Sequence, residues 1–288
     1  MVEKVAVIGA GQVGPGIAQV FAQSGKYTVF LFDIQEHALK KGIEKIKNNL
    51  SKAVEKKRLT PEAANKVVQS IIPVHDLREA VNRAEFIVEA VPENVAVKKN
   101  LLSSVENLSA PNTIIVSNTS SISITELGSA LKNPIRFAGM HFFNPAQIIR
   151  LIEVIPGKNT SESTINAVVK TAQSIGKEPV IIHKDVPGFV VNRLLMLALN
   201  EAAALYESGI ASIEDIDKSV KLGLNWPMGP LELIDLIGVD TVVSICNVLE
   251  KDLGSKYKPS KILSDMCSKG LLGRKTGKGF YKYNESFI

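Results

Sequence analysis

The 288-residue chain is 45% hydrophobic and 22% charged, a balance that gives a sizeable core and leaves space for two domains. Its formal net charge of +5 is too modest to argue for nucleic acid, although it suits an anionic substrate, and no apolar run is long enough to cross a bilayer. The two cysteines, Cys246 and Cys267, lack metal-ligand spacing, and the first strand starts too near Met1 for a targeting peptide, so no metal and a cytoplasmic location are expected.

Lys4–Gly9 is a short apolar run, as in a parallel strand buried on both faces. It breaks into Gly9-Ala10-Gly11-Gln12-Val13-Gly14; a helix follows over Gly16–Gln23, and a second strand, Tyr27–Phe32, ends on Asp33. A glycine triplet alone is weak, but here it follows a strand, opens a helix and is answered by an acid at the next strand end. That context predicts a dinucleotide site. Gly9 makes the tight turn, Gly11 admits a pyrophosphate, Gly14 lets helix and strand pack, and Asp33 accepts from the adenosine ribose while repelling a 2′-phosphate. NAD is favoured over NADP.

His37–Arg58 reads as one charged helix with seven lysines, at 40, 41, 45, 47, 52, 56 and 57. It is either a solvated face or a positive surface for a phosphate-bearing substrate. Pro61–Gln69 is a further helix and Ile71–Val74 a short strand. The buried-type strand Phe86–Val91 runs into Pro92-Glu93, at the strand end where ligands of doubly wound sheets sit; Glu93 fits a ligand contact or a helix N-terminal acid equally. Asn94–Asn107 is a helix carrying Lys98. The strand Thr113–Ser117 leads into Asn118–Ser121, small polar residues that either cap a helix or donate to a ligand; Ser121 or Ser123 could cap, leaving Ser120 spare.

Of the four histidines, His37, His75 and His183 are expected to be structural or exposed, whereas His141 sits at the C-terminal end of a strand of the nucleotide-binding sheet (Arg136–His141), where an imidazole can take a proton near neutral pH. Glu153 interrupts the apolar strand Leu151–Ile155. It either faces water on an edge strand or pairs with a histidine on a neighbouring strand. A helix over Thr160–Gly176 and a strand over Glu178–His183 complete the first part. Beyond Asp185 the pattern is helical: Phe189–Ser208, Ser212–Leu222, Gly229–Glu250 and Pro259–Lys269. The expected architecture is α/β, a Rossmann-type, mostly parallel doubly wound sheet over residues 1–185, then an all-α domain over residues 186–288. The apolar stretch Leu194–Leu199 makes a subunit interface in that second domain plausible.

Eight strings together resemble the NAD-dependent L-3-hydroxyacyl-CoA dehydrogenases across nearly the whole chain, most closely stand-alone 3-hydroxybutyryl-CoA dehydrogenases. They are Gly9–Gly14, Glu89–Glu93, Ser117–Ser121, His141-Phe-Phe-Asn-Pro145, Leu151–Val154, Asp185-Val-Pro-Gly-Phe-Val-Val-Asn-Arg193, Met228-Gly-Pro230 and Lys275-Thr-Gly-Lys-Gly-Phe-Tyr281. The resemblance implies interconversion of (3S)-3-hydroxyacyl-CoA and 3-oxoacyl-CoA. It makes His141 the general base paired with Glu153, and assigns Ser120 and Asn192 to the reacting group. It places Gly9, Gly11, Gln12, Val13, Gly14, Asp33, Glu93, Lys98, Ser120, Asn144 and Lys275 at the NAD site and Lys56 at coenzyme A, with Asn49 where relatives have a serine. It also implies a homodimer through the helical domain, and neither a nucleic-acid nor a membrane partner. A 6-phosphogluconate or β-hydroxyacid dehydrogenase would need a lysine near an asparagine on the long helix; Asn192-Arg193 and Asn200-Glu201 supply none. A structural protein of the λ-crystallin kind is disfavoured by the intact Ser120, His141, Glu153 and Asn192.

Overall fold

The computed structural model describes residues 3–283. They fall into two compact units, Met1–Val186 and Pro187–Ile288. In the first, β1 (Glu3–Ile8), α1 (Gly14–Gln23), β2 (Tyr27–Phe32), α2 (Glu36–Glu55), α3 (Pro61–Gln69), β3 (Ile71–Val74), α4 (Leu77–Val81) and β4 (Phe86–Glu89) come first. They are followed by α5 (Val95–Leu108), β5 (Ile114–Ser117), α6 (Ile124–Gly128), β6 (Phe137–Phe142), β7 (Leu151–Pro156), α7 (Glu162–Ser174) and β8 (Glu178–Ile181).

These strands make one sheet in the order β3-β2-β1-β4-β5-β6-β7-β8. The first six run parallel, in the order of dinucleotide-binding sheets; β7 pairs antiparallel with β6, and β8 parallel with β7. The central strands β4 and β6 are buried at every residue, which is why they read as continuous apolar runs. Helix starts are set by local chemistry: Thr60, Asp76, Asn94, Ser123 and Ser161 each accept a first-turn N–H of α3 to α7 in turn. The first core joins Val5, Val7, Leu31, Val88, Val116 and Met140 of the sheet to Ile17 and Phe21 of α1 and Leu39 and Ile46 of α2.

The second unit contains α8 (Val191–Glu207), α9 (Ile213–Gly223), α10 (Pro230–Ile237), α11 (Val239–Leu253) and α12 (Lys261–Ser268). Its own core includes Leu199, Leu231, Ile234, Val242, Cys246, Leu249 and Leu263. Two buried aspartates tie the segment after α12 to these helices. Asp217 accepts from Leu231 N, Glu232 N and the Tyr281 hydroxyl at 2.8, 3.0 and 2.8 Å. Asp235 accepts from Phe280 N, Tyr281 N and the Tyr283 hydroxyl at 3.0, 2.9 and 3.0 Å. The Lys-Thr-Gly-Lys-Gly-Phe-Tyr string therefore supplies Phe280 and Tyr281 to this clamp, and the Met-Gly-Pro string directly precedes the Leu231 and Glu232 amides that Asp217 holds.

Three expectations are corrected. The lysine-rich helix stops at Glu55 rather than Arg58, because Lys57 adopts φ 54° and turns the chain out of the helix. Gly229–Glu250 is two helices, broken where Gly238 takes φ 104°, a conformation that side chains resist. The strand expected over Glu178–His183 ends at Ile181. No helix among the described residues is long and apolar enough to cross a membrane.

Candidate active site

The C-terminal ends of β1 and β2 build the nucleotide end. Helix α1 is preceded at its N-cap position by Val13, whose side chain caps nothing, so the N–H groups of its first turn are left without a side-chain partner. A Cβ on Gly14 would fall onto the Gly9 carbonyl, which makes glycine obligatory there for packing alone. On Gly11 a Cβ would meet no protein atom within 4 Å: the space over this residue is a cradle, not a contact. Asp33 Oδ2 accepts from Ala10 N at 2.7 Å and Oδ1 from Gln35 N at 2.9 Å, which fixes the carboxylate beside the glycine loop with lone pairs still available to hydroxyls. Uncapped amides, an open cradle and an anchored acid fit the pyrophosphate and ribose of NAD.

The ends of β4 and β5 meet next. Lys98 on α5 is 1% exposed, and its Nζ lies 2.7 Å from Glu89 Oε1, 3.1 Å from the Val91 carbonyl and 3.3 Å from Glu93 Oε2. The other Glu89 oxygen accepts from the Ser117 hydroxyl. Glu93 Oε1 accepts from the Thr119 and Ser121 hydroxyls and from Ser120 N and Ser121 N at 3.0 and 3.1 Å. Burial opposes its ionisation, but the Lys98 charge and these donors outweigh it and hold the carboxyl below its ordinary range. Ser121 is thereby bound to Glu93, while Ser123 caps α6; the Ser120 hydroxyl stands 3.5 Å from Glu93.

On β6 and β7 the antiparallel register sets His141 opposite Glu153. Nδ1 lies 2.9 Å from Glu153 Oε2, with side chains 6% and 1% exposed. Phe143 packs on the imidazole, ring centroids 4.4 Å apart. The Asn118 side-chain Oδ1 accepts from Phe142 N at 2.8 Å, tying the loop after β5 to the strand that carries His141. Asn144 is exposed and precedes Pro145 through a cis peptide. The loop beyond is pinned by buried Lys177, which donates to the Ala146 and Ile149 carbonyls at 2.6 and 2.7 Å. Burial lowers the pKa of that ammonium.

The remaining sequence-derived residues lie elsewhere. Lys56 is exposed just past the end of α2, and Asn49 donates to Gln19 at 3.2 Å. Asn192, the second residue of α8, and Lys275, whose Nζ donates to Asp240 at 2.7 Å, belong to the second unit. Sequence reading gave no role to Glu89 or Ser117, although Glu89 carries the cue that singled out Glu153: a carboxylate in an otherwise apolar buried strand.

A profile described as "3-hydroxyacyl-CoA dehydrogenase, NAD binding domain" matches residues 4–186, and one described as "3-hydroxyacyl-CoA dehydrogenase, C-terminal domain" matches residues 188–283. The chain belongs to the 3-hydroxyacyl-CoA dehydrogenase family. A probable 3-hydroxybutyryl-CoA dehydrogenase of Deinococcus radiodurans is 46% identical to this family member over 281 residues, 97% of this chain and 100% of that one. The mitochondrial hydroxyacyl-coenzyme A dehydrogenase of Homo sapiens is 42% identical over 290 residues, 98% and 92% of the two chains. Among solved structures, (S)-3-hydroxybutyryl-CoA dehydrogenase of Ralstonia eutropha matches with a TM-score of 0.92 at 38% identity, covering 99% of this chain and 100% of that one. This dehydrogenase is an oxidoreductase whose cofactor is NAD.

Proposed function

We propose that the enzyme interconverts (3S)-3-hydroxyacyl-CoA and 3-oxoacyl-CoA, with 3-hydroxybutyryl-CoA and acetoacetyl-CoA as its substrate pair and His141 as general base. The observation that carries this reading is the buried His141–Glu153 pair at 2.9 Å, on β6 and β7 of the same sheet whose β1 and β2 ends build the dinucleotide cradle. With Nδ1–H donating to Glu153, the imidazole takes the substrate's hydroxyl proton at Nε2, and the carboxylate stabilises the imidazolium so formed. NAD, when bound, supplies the hydride acceptor. The Ser120 hydroxyl donates to the oxygen as it becomes a carbonyl.

In the same reading Gly9, Gly11, Gln12, Val13, Gly14 and Asp33 hold the adenosine diphosphate half of the cofactor, and Glu93, Lys98, Ser120 and Asn144 attend its remainder. Lys56, with its exposed basic neighbours Lys52, Lys57 and Arg58, receives a phosphate of coenzyme A. The names of the relatives support a four-carbon acyl group. A homodimer through the helical unit is supported by Leu194, Leu222 and Leu224, exposed at 66%, 76% and 64%. Light scattering at twice the chain mass is the expected result, and a monomer at all concentrations removes this part of the proposal.

The decisive assay is NADH oxidation with acetoacetyl-CoA, beside free acetoacetate and with NADPH substituted. Fast turnover with the thioester and NADH alone is expected. Tight NADH binding without turnover of the thioester overturns the proposal.

A further inference from the structure

Glu89 and Lys98 are a carboxylate and an ammonium with side chains 0% and 1% exposed. A buried ion pair stabilises a fold poorly compared with apolar side chains of similar size. What it does supply is direction. An ammonium has three donors and no acceptor, and Lys98 has three acceptors around it: Glu89 Oε1, the Val91 carbonyl and Glu93 Oε2. The ammonium is therefore a node, and two arms leave it.

The first arm runs through Glu89, whose second oxygen takes the Ser117 hydroxyl hydrogen. The oxygen of that hydroxyl in turn accepts from Thr119 N at 3.3 Å. The second arm runs through Glu93 to the Thr119 hydroxyl and the amides of Ser120 and Ser121. The first arm ends on Thr119 and the second on all of Thr119–Ser121, so both meet in one three-residue segment. The backbone carbonyl of Glu89 also accepts from Asn118 N at 2.8 Å, and Asn118 is the residue that holds Phe142 beside His141. A single buried pair thus sets the ends of β4 and β5 and, through them, both the loop that presents Ser120 and the end of the strand that bears His141.

We propose that Glu89 and Ser117 are positioning residues of the dehydrogenase, which act through the Thr119–Ser121 loop to set the Ser120 hydroxyl against the substrate oxygen. The proposal rests on the reading that Ser120 donates to that oxygen. Neither residue touches substrate or cofactor, and their effect is on where the donor stands when the carbonyl forms. An interaction realised mainly in the transition state appears in kcat and leaves KM alone.

The test uses the full-length protein as Glu89→Gln, Ser117→Ala and the double variant. Glu89→Gln keeps shape and removes the charge facing Lys98; Ser117→Ala is a small change that leaves the ion pair intact, so it remains informative if the first variant folds poorly. Three readouts are taken: amide hydrogen exchange of the Asn118–Ser121 segment, NADH affinity by fluorescence, and kcat and KM with acetoacetyl-CoA at saturating NADH. Faster exchange in this segment is expected in both single variants. The kcat should fall roughly ten- to a hundredfold, as when a reacting partner is displaced by about an ångström, with KM for the thioester little changed. The double variant should be no worse than Glu89→Gln alone, because the two residues share one path.

Unaltered exchange in the loop, or an unaltered kcat accompanied only by a lower melting temperature, overturns the proposal and leaves the dehydrogenase reading standing. Absence of thioester turnover in the parent protein defeats that reading instead, and the positioning claim is then decided by loop exchange and NADH affinity.

Discussion

His141 and Glu153 owe their partnership to register: an antiparallel pairing places them directly opposite each other, and burial keeps water from competing for the bond. If His141 moves the proton, His141→Gln removes the base while keeping a side chain of similar reach. Turnover of acetoacetyl-CoA should then fall at least about a hundredfold with NADH affinity nearly unchanged. A loss of only a fewfold would mean that another group serves as base. Asp33 makes a different kind of prediction, because its role is discrimination. Asp33→Ala removes both a ribose acceptor and the negative charge that opposes a 2′-phosphate, so kcat/KM for NADPH relative to NADH should rise. Were the parent enzyme already as fast with NADPH, the assignment of Asp33 would be wrong.

Within the element that joins β1 to α1, two glycines of one motif separate packing from binding. Gly14→Ala drives a methyl group onto the Gly9 carbonyl and should lower the melting temperature and abolish NADH binding together. Gly11→Ala meets no protein atom, so the fold should melt near the parent temperature while NADH affinity drops at least tenfold, about 1.4 kcal/mol of binding free energy. Equal losses of stability in the two variants would show that the space over Gly11 is not a ligand cradle. The motif was legible because strand period, turn glycines and the answering acid all lie within thirty-odd residues. Elements of this length declared themselves through periodicity, whereas the five-residue helix Leu77–Val81 is too short to show a period. A single residue's backbone angle, at Lys57 and at Gly238, moved two helix ends that hydrophobic pattern alone extends. In the site, Glu153 was legible as a charge within an apolar strand. The Glu89–Lys98–Ser117 network was not, since it joins three elements whose meeting depends on sheet order, and no local pattern encodes that order.

At the scale of the whole molecule, two acids, one in each unit, are shifted in opposite directions and act at opposite sides of the acidic range. Glu93 is held below its ordinary value of 4.5, so its contribution is present above that pH and is lost as pH falls through the lower folded value. Asp235 is shifted the other way, chiefly by burial; its effect is greatest in acid and fades as pH rises from 3.8 through its raised value. An alkaline limit arises in the second unit. Burial and the Asp235 carboxylate push the Tyr283 hydroxyl up to about 12, and burial with Asp217 pushes Tyr281 up as well. An acid whose folded pKa is raised stabilises below its unfolded value and loses that contribution as pH climbs toward the folded one. The clamp should therefore weaken progressively from pH 10 to about 12, when the unfolded tyrosines ionise and the folded ones resist. Trp226, the single tryptophan of the chain, lies in this unit and reports on it. Its thermal transition should move to lower temperature over that window, and Tyr283→Phe, which removes one titrating group, should make the decline shallower. If the decline is equally steep in that variant, the tyrosine at 283 does not couple to folding, and the alkaline limit has another origin.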